Sequence, residues 1–530
     1  MHEEGLQFVP APDGRRSTIF AASQRNCTAK LQFVPAPDGR RSSTHANLAI
    51  CSAALTGIDP DAVTALHQET NWRRRYPRYV RALTEAAAVD PAQALTMATA
   101  GLTAAWQQVE WLRNGTSAPL AEAMRWPQLH AMYTAVLHGR GPHLIEPFSI
   151  PYRGQCLSGA ALHAQIAHWE AAGIIEPGCA RALLRVLDHP EWLDLSDRTL
   201  VLLGAGAEAG PLAMLARWRA NLIAVDVPDP ARWQRIVEVV RAGNARLIAP
   251  SLQPISPDAD PDEWLPVAGV DLLRHAPEIV TWLLSFERPL DIATLAYLDG
   301  ERHLRVALAM DAIVATVSVA RPDTTLMTMA TPTDMFAVNE ETALAAMRNA
   351  AKAYPLGETA AAIVRALSGG RLLQPHVREL IASTNGKRYG IVDCLFLEQG
   401  PNYALAKRLQ QWRAIIARAG GQRVSMNVAP ATMTQSVIKN PALRAGYNGA
   451  SLFGVEIFAP ETTGALMAAL WVHDLRCRDC AANPDIPLDH PLELLTANAN
   501  HGGLWRNGFL PRTALPLAAL VGLVRSPVHS

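Results

Sequence analysis

Lysine is scarce in this chain. Only five of 530 residues carry it, so nearly all the positive charge is arginine. Net charge is absent too, because 48 basic residues balance 48 acidic ones. That balance removes any electrostatic reason to expect nucleic acid or an anionic membrane as partner. Cysteine is sparse, at seven scattered residues. An odd, dispersed set suits a reducing cytoplasm better than a disulfide framework. Long apolar runs are missing as well. The run over 306–320 is interrupted by Asp311 and that over 514–524 is too short, so no membrane span is expected. The opening MHEEGLQF has neither the basic nor the apolar region of a secretory leader. No G-x-x-x-x-G-K, H-E-x-x-H or Ser/His/Asp arrangement occurs, which argues against P-loop, zincin and triad chemistry.

What the chain does have is ample core material, with 49% hydrophobic residues, and one organising stretch, TLVLLGAGAEAGPLAMLARWRANLIAVDV, over 199–227. It reads as strand, glycine turn, helix and strand. Thr199–Leu203 and Asn221–Val225 are short apolar runs of the kind buried on both faces of a parallel sheet. Gly204, Gly206 and Ala209 fit G-x-G-x-x-A, and Gly210 follows. Glycine serves there because the turn is too tight for a Cβ and backbone N–H groups must approach a pyrophosphate. Asp226 ends the second strand roughly 20 positions on, where a carboxylate can accept ribose hydroxyls. That carboxylate favours NAD(H) over NADP(H), with Arg232 as a residue that could rescue NADP binding.

Residues 1–45 carry LQFVPAPDGRRS twice, at 6–17 and 31–42, and read as a disordered tail with a local duplication. The pattern over 46–195 is helical; its basic stretch WRRRYPRYVRAL suits a solvated helix face. Past the glycine stretch, apolar strands alternate with helices. Strands are expected at 245–249, 291–298 and 324–330, and helices at 231–242, 276–286 and 304–320. Such alternation means an α/β fold with a doubly wound, parallel, Rossmann-type sheet over 196–435. Residues 335–398 form an insertion, with helices expected at 340–353, 358–367 and 375–382. Residues 436–530 form a second helical addition, in which 462–475 is strongly amphipathic.

Tyr403 and Lys407 make Y-x-x-x-K on the next long helix. At i and i+4 the phenol and ammonium share one face. A nearby ammonium lowers a phenol's pKa, so the pair can exchange protons with an alcohol or carbonyl. The order of glycine turn, acid, strand-end threonine and Tyr/Lys pair over about 199–435 resembles the short-chain dehydrogenase/reductase family. The resemblance implies an NAD(P)-dependent oxidoreductase interconverting carbonyl and alcohol. It implies Tyr403 as proton donor or acceptor, Lys407 as tuner and binder of the nicotinamide ribose, and Thr331 (or Thr333) as holder of the substrate oxygen. The loop 297–300, ending in Gly300, would face the cofactor. It also implies copies pairing through core helices. Glu208, Tyr297, Leu298 and Asp311 depart from the family's usual residues, and the long gap between Thr331 and Tyr403 would hang over the site as a lid. Two other readings follow from these departures: a catalytically silent nucleotide-binding sensor or scaffold, and an isomerase or lyase with tightly held NAD.

The substrate is expected to be a small molecule, and the helical additions leave room for a large or hydrophobic one. Cys477-x-x-Cys480 has metal spacing but no second pair, so no metal is expected. HGGLWRNGF over 501–509 fits a helix cap with a buried tryptophan as well as it fits ligand contact.

Overall fold

The computed structural model describes residues 29–128, 130–256 and 259–524. A seven-stranded sheet organises it. Its strands are β1 (Tyr133–His138), β2 (Thr199–Leu203), β3 (Asn221–Val225), β4 (Arg246–Ser251), β5 (Leu290–Thr294), β6 (Thr325–Ala330) and β7 (Val424–Val428). The spatial order is β7-β6-β5-β2-β3-β4-β1. β2 to β7 are mutually parallel, and β1 pairs antiparallel with β4 at one edge. Val201 aligns with Ile223 on one side and Ile292 on the other. The inner strands are apolar along their whole length because helices cover both faces, so alternation brings no advantage. Strands expected at 199–203 and 221–225 form as read. The strand expected to run to 298 stops at Thr294, and its last residues become a loop.

Two helices matter most on one face. α1 (Glu301–Ala320) and α2 (Pro401–Ala419) pack on each other and over β5, β6 and β7. α1 is long and apolar enough to cross a membrane by length and composition, yet two-thirds of its most apolar window is buried in the protein. Toward the carboxyl end lie α3 (Pro441–Asn448), α4 (Pro460–Arg476) and α5 (Pro511–Val524).

Several expectations need correction. The second duplicated segment is no tail: Lys30–Phe33 pairs antiparallel with Val109–Arg113, and Leu31 and Phe33 enter the core. The first copy lies outside the described residues. The region 46–195 is not all helical. After four helices it contributes five strands, β1 of the main sheet among them. The helix expected from Pro211 is a single turn, Leu212–Leu215. α4 instead covers that face: its residues 462–474 are buried on every side, so it is a core helix and not an amphipathic one. A Cβ at Gly464 would come 2.6 Å from the Gly210 carbonyl oxygen, so the backbone of α4 lies directly on the glycine turn.

The insertion is also different from a hinged lid. Met335–Asn339, Arg388–Asp393 and Leu380–Ala382 form their own antiparallel sheet, the last where a helix was expected. Residues such as Met335, Phe336, Ile391 and Val392 belong to the main core. Asp334 and Asp393 at its roots are buried beside Arg408 and Arg512.

Candidate functional site

The parallel strands all end on one side, and the predicted residues hang from those ends. β2 runs into Gly204, held by its N–H to the Val225 carbonyl at 2.8 Å. Gly204 has φ +98°, and a Cβ there would lie 2.5 Å from the Ala296 Cα, so glycine is required twice over. Gly206 is exposed. The N–H groups of Glu208 and Ala209 have no protein acceptor among the described residues, whereas Gly210 donates to the Ala207 carbonyl at 2.9 Å. The Glu208 carboxylate caps the Gln435 N–H at 2.9 Å.

Asp226 is buried and already partnered. Its Oδ2 accepts from the Gly206 N–H at 2.7 Å, and its Oδ1 accepts from the Val227 N–H and from Arg232, both at 2.8 Å. The acid thus fastens the glycine turn to the end of β3 and retains one spare lone pair on Oδ2.

Beyond β5, Tyr297 is half exposed and its ring meets His303 at 4.8 Å and Tyr403 at 6.1 Å. Gly300, at φ +61°, caps α1 with open space around its Cβ position. His303, in the first turn of α1, is 2% exposed and stacks on Tyr403 at 5.2 Å and 19°. Its Nδ1 accepts from the Leu298 N–H at 3.4 Å, which leaves the proton on Nε2. That Nε2 is buried and has no partner among the described residues. Burial, with the Lys407 charge adding to it, pushes the imidazole down to about 3, so it is a neutral donor.

α2 begins at Pro401, whose fixed φ suits a first helical position. It carries Tyr403 and Lys407 to the ends of β6 and β5. The Thr331 hydroxyl lies near the Tyr403 phenol and draws its pKa down, and it shares a 2.8 Å bond with the Thr333 hydroxyl. Thr333 in turn accepts from Gln399 Nε2 at 2.6 Å. Lys407 Nζ sits 5.9 Å from the Tyr403 ring centroid. It donates to the Met329 carbonyl at 3.2 Å and to Gln410 Oε1 at 3.1 Å, and it contacts no carboxylate among the described residues.

One expectation reverses here. The phenol of Tyr403 is not acidified. Burial raises it to about 12, only partly opposed by the Thr331 hydroxyl. Lys407 is instead pushed down to about 8, again by burial, with buried Asp334 opposing. Desolvation outweighs an ammonium that faces neutral oxygens and lies above the ring, not beside the phenol oxygen.

Asp311 stands outside this cluster. Arg413 grips it through two bonds of 2.6 and 2.9 Å, and Trp106 Nε1 donates at 2.6 Å. It ties an amino-terminal helix to α1 and α2. The carboxyl-terminal HGGLWRNGF is a clasp. His501 Nε2 donates to Glu176 at 2.8 Å, and Arg506 grips the same carboxylate through two 2.8 Å bonds. Burial alone would raise Glu176, but Arg506 and His501 hold it far below its ordinary range. His473, Asp474 and Cys480 place ligand atoms within 4.8 Å of one another. Ser425, Asn427, Asn498 and His473 already occupy the Asp474 oxygens at 2.7 to 3.2 Å, however, so this trio is a hydrogen-bonded hub. Cys477 faces away, to Arg185 and Asp479.

A narrow apolar cleft, open on one side, has Thr333 among its lining residues. Phe396, Tyr447, Phe453 and Val455 line it with Leu515 and Ala518 of α5. From the insertion, only Phe396 reaches it among the lining residues. Sequence reading missed His303, Tyr447 and the cleft. His303 offered one signal, its place three residues beyond the positive-φ cap Gly300.

No protein-family model and no curated protein matches the chain.

Proposed function

We propose that the protein is an NAD(P)-dependent oxidoreductase that interconverts a carbonyl and an alcohol, with Tyr403 as proton donor or acceptor. The observation that carries this reading is the meeting of Thr331, Tyr403 and Lys407 at the carboxyl ends of a parallel sheet. In chain order the six parallel strands lie 3-2-1-4-5-6, the arrangement of Rossmann-type dinucleotide sheets, and ligands of such sheets bind outside the strand ends where the order reverses.

The residues present fit a dinucleotide. Gly206 is exposed, the Glu208 and Ala209 N–H groups lack acceptors among the described residues, and Lys407 is a part-buried cation without a contacting anion. Gly204 to Gly210 would hold the phosphates, Asp226 the adenosine ribose and Lys407 the nicotinamide ribose. Bound there, the group supplies hydride. Asp226 favours NAD(H), and its pairing with Arg232 narrows the margin over NADP(H).

The chain's own part is proton supply. Burial raises the Tyr403 phenol to about 12, so it stands protonated at neutral pH and holds the proton that an alkoxide would take, more tightly than an acidified phenol would. Thr331, beside that phenol, would orient the oxygen receiving the proton. Neutral His303 offers a second donor, Nε2–H, from beneath the ring.

The test is titration with NADH and NADPH, followed by a carbonyl panel. Tyr403→Phe should cut turnover by roughly two or more orders of magnitude with dinucleotide affinity nearly unchanged. Intact turnover would sink the reading. A second reading, a silent dinucleotide-binding module, is favoured by the engagement of Asp226 with Gly206 and Arg232. Binding without turnover of any carbonyl would select it.

A further inference from the structure

We infer that the cleft beyond Thr333 holds the hydrocarbon body of the substrate, which makes the substrate class an aldehyde or ketone with an extended, uncharged chain or ring system. This rests on the oxidoreductase reading of the same site.

The cleft's walls are aliphatic and aromatic, and none of its lining residues among those described carries a charge. Its two polar side chains other than Tyr447 are spoken for. Asn507 donates to the Phe453 carbonyl at 2.9 Å and accepts from the Phe509 N–H at 2.8 Å. Thr333 is bonded to Thr331 and Gln399. A charged or strongly hydrated group entering here would lose its water without compensation, whereas methylenes lose nothing. The polar end of the cleft leads through Thr333 and Thr331 to the Tyr403 phenol. Tyr447, in the cleft wall, has its phenol raised by burial. The apolar cleft thus lies one pair of bonded hydroxyls away from the Tyr403 phenol, on the side to which the body of a carbonyl compound held there would extend.

The far wall is firm. α3 and α5 cross so closely that a Cβ on Gly449 would lie 1.9 Å from the Ala518 carbonyl oxygen, and one on Gly522 equally close to that of Ala445. Backbones in such contact cannot open without losing the crossing, so the cleft has a definite end.

The experiment uses 2-butanone, 2-octanone and 2-dodecanone with the full chain. Affinity is read from tryptophan fluorescence without dinucleotide, and KM with NADH or NADPH. Affinity should tighten about three- to fourfold per added methylene and then level off when the cleft is full. Ala514→Phe, which fills the cleft, should bring the plateau to shorter chains. Leu515→Ala should move it to longer ones, and it serves if the first variant fails to fold. Length-independent affinity in the natural chain, or a plateau that neither folded variant moves, overturns the inference. The outcomes separate from those of the parent reading. Length-dependent binding with no turnover keeps the cleft and defeats the chemistry, and turnover indifferent to chain length does the reverse.

Discussion

Lys407 offers a test that needs no substrate. Its ammonium is part-buried beside neutral acceptors, and desolvation lowers its pKa from an ordinary 10.5 to about 8. A folded-state value below the unfolded one means that the unfolded chain binds the proton more tightly. Below pH 8 both states are protonated and the folded state carries the full cost of burying the charge. Between pH 8 and 10.5 the folded chain releases its proton first, so stability rises with pH relative to a chain lacking this lysine. Two and a half units correspond to roughly 3 kcal/mol. By pH 9.5 about 2 kcal/mol of that should be relieved, and half as much if solvent screens the half-buried amine. Lys407→Met supplies the reference, because other alkaline groups cancel in the difference. Urea denaturation of both proteins at pH 6.5 and 9.5 gives four free energies. The variant's stability relative to the natural chain should drop by about 1 to 2 kcal/mol between the two pH values. A difference that stays constant with pH would mean that Lys407 is not desolvated, and the idea of a cation waiting for a ligand would fall with it.

The clasp and the Asp311 hub yield two more expectations. Glu176→Ala leaves Arg506 and His501 buried without their carboxylate and should cost on the order of 3 to 5 kcal/mol, measured by guanidinium denaturation at pH 7. Because the folded-state pKa of Glu176 is depressed, its stabilisation is present above the ordinary 4.5 and is lost as pH falls below it, so the gap between variant and natural chain should narrow in acid. Asp311→Asn should destabilise by roughly 2 to 4 kcal/mol, since Arg413 and Trp106 lose a charged acceptor, while leaving dinucleotide affinity in the folded fraction unmoved. Loss of dinucleotide binding at unchanged stability would return Asp311 to the site.

The central sheet was legible because its strands are short apolar runs closed by glycine, proline or aspartate, a pattern that few other structures produce. The amino-terminal strands were not. Val109–Arg113 continues a helical stretch in sequence, and only its alternating burial, visible once it pairs with residues near 30, marks it as a strand. A Pro/Gly/Arg segment such as 31–42 looks unable to bury anything until a partner some eighty residues away covers Leu31 and Phe33. The single turn after Pro211 was hidden for a similar reason. Apolar spacing says that a face will be covered, not by which helix, and α4 covers it. Tyr403, Lys407 and Thr331 were readable as chemistry and as neighbours. The direction of their pKa shifts was not, because desolvation depends on everything packed around them.

The partners already present in the site decide how a dinucleotide could be held there. Asp226 bonds Gly206, Val227 and Arg232, so ribose hydroxyls arriving at this carboxylate add to one spare lone pair or displace Arg232. Displacement exchanges an ion pair for a hydroxyl bond to the same carboxylate, and its net gain is close to nothing. Lys407 differs, since its acceptors are a carbonyl and an amide, and any hydroxyl or phosphate oxygen improves on them by restoring the solvation it lacks. The same holds for the unaccepted N–H groups of Glu208 and Ala209. Affinity for a dinucleotide would then arise at the phosphate turn and at Lys407, with Asp226 contributing mainly by locking the turn's shape. On the dinucleotide reading proposed above, Asp226 would act as a structural residue first and a cofactor selector second, and Arg232, freed from it, would be the group through which a 2′-phosphate is admitted.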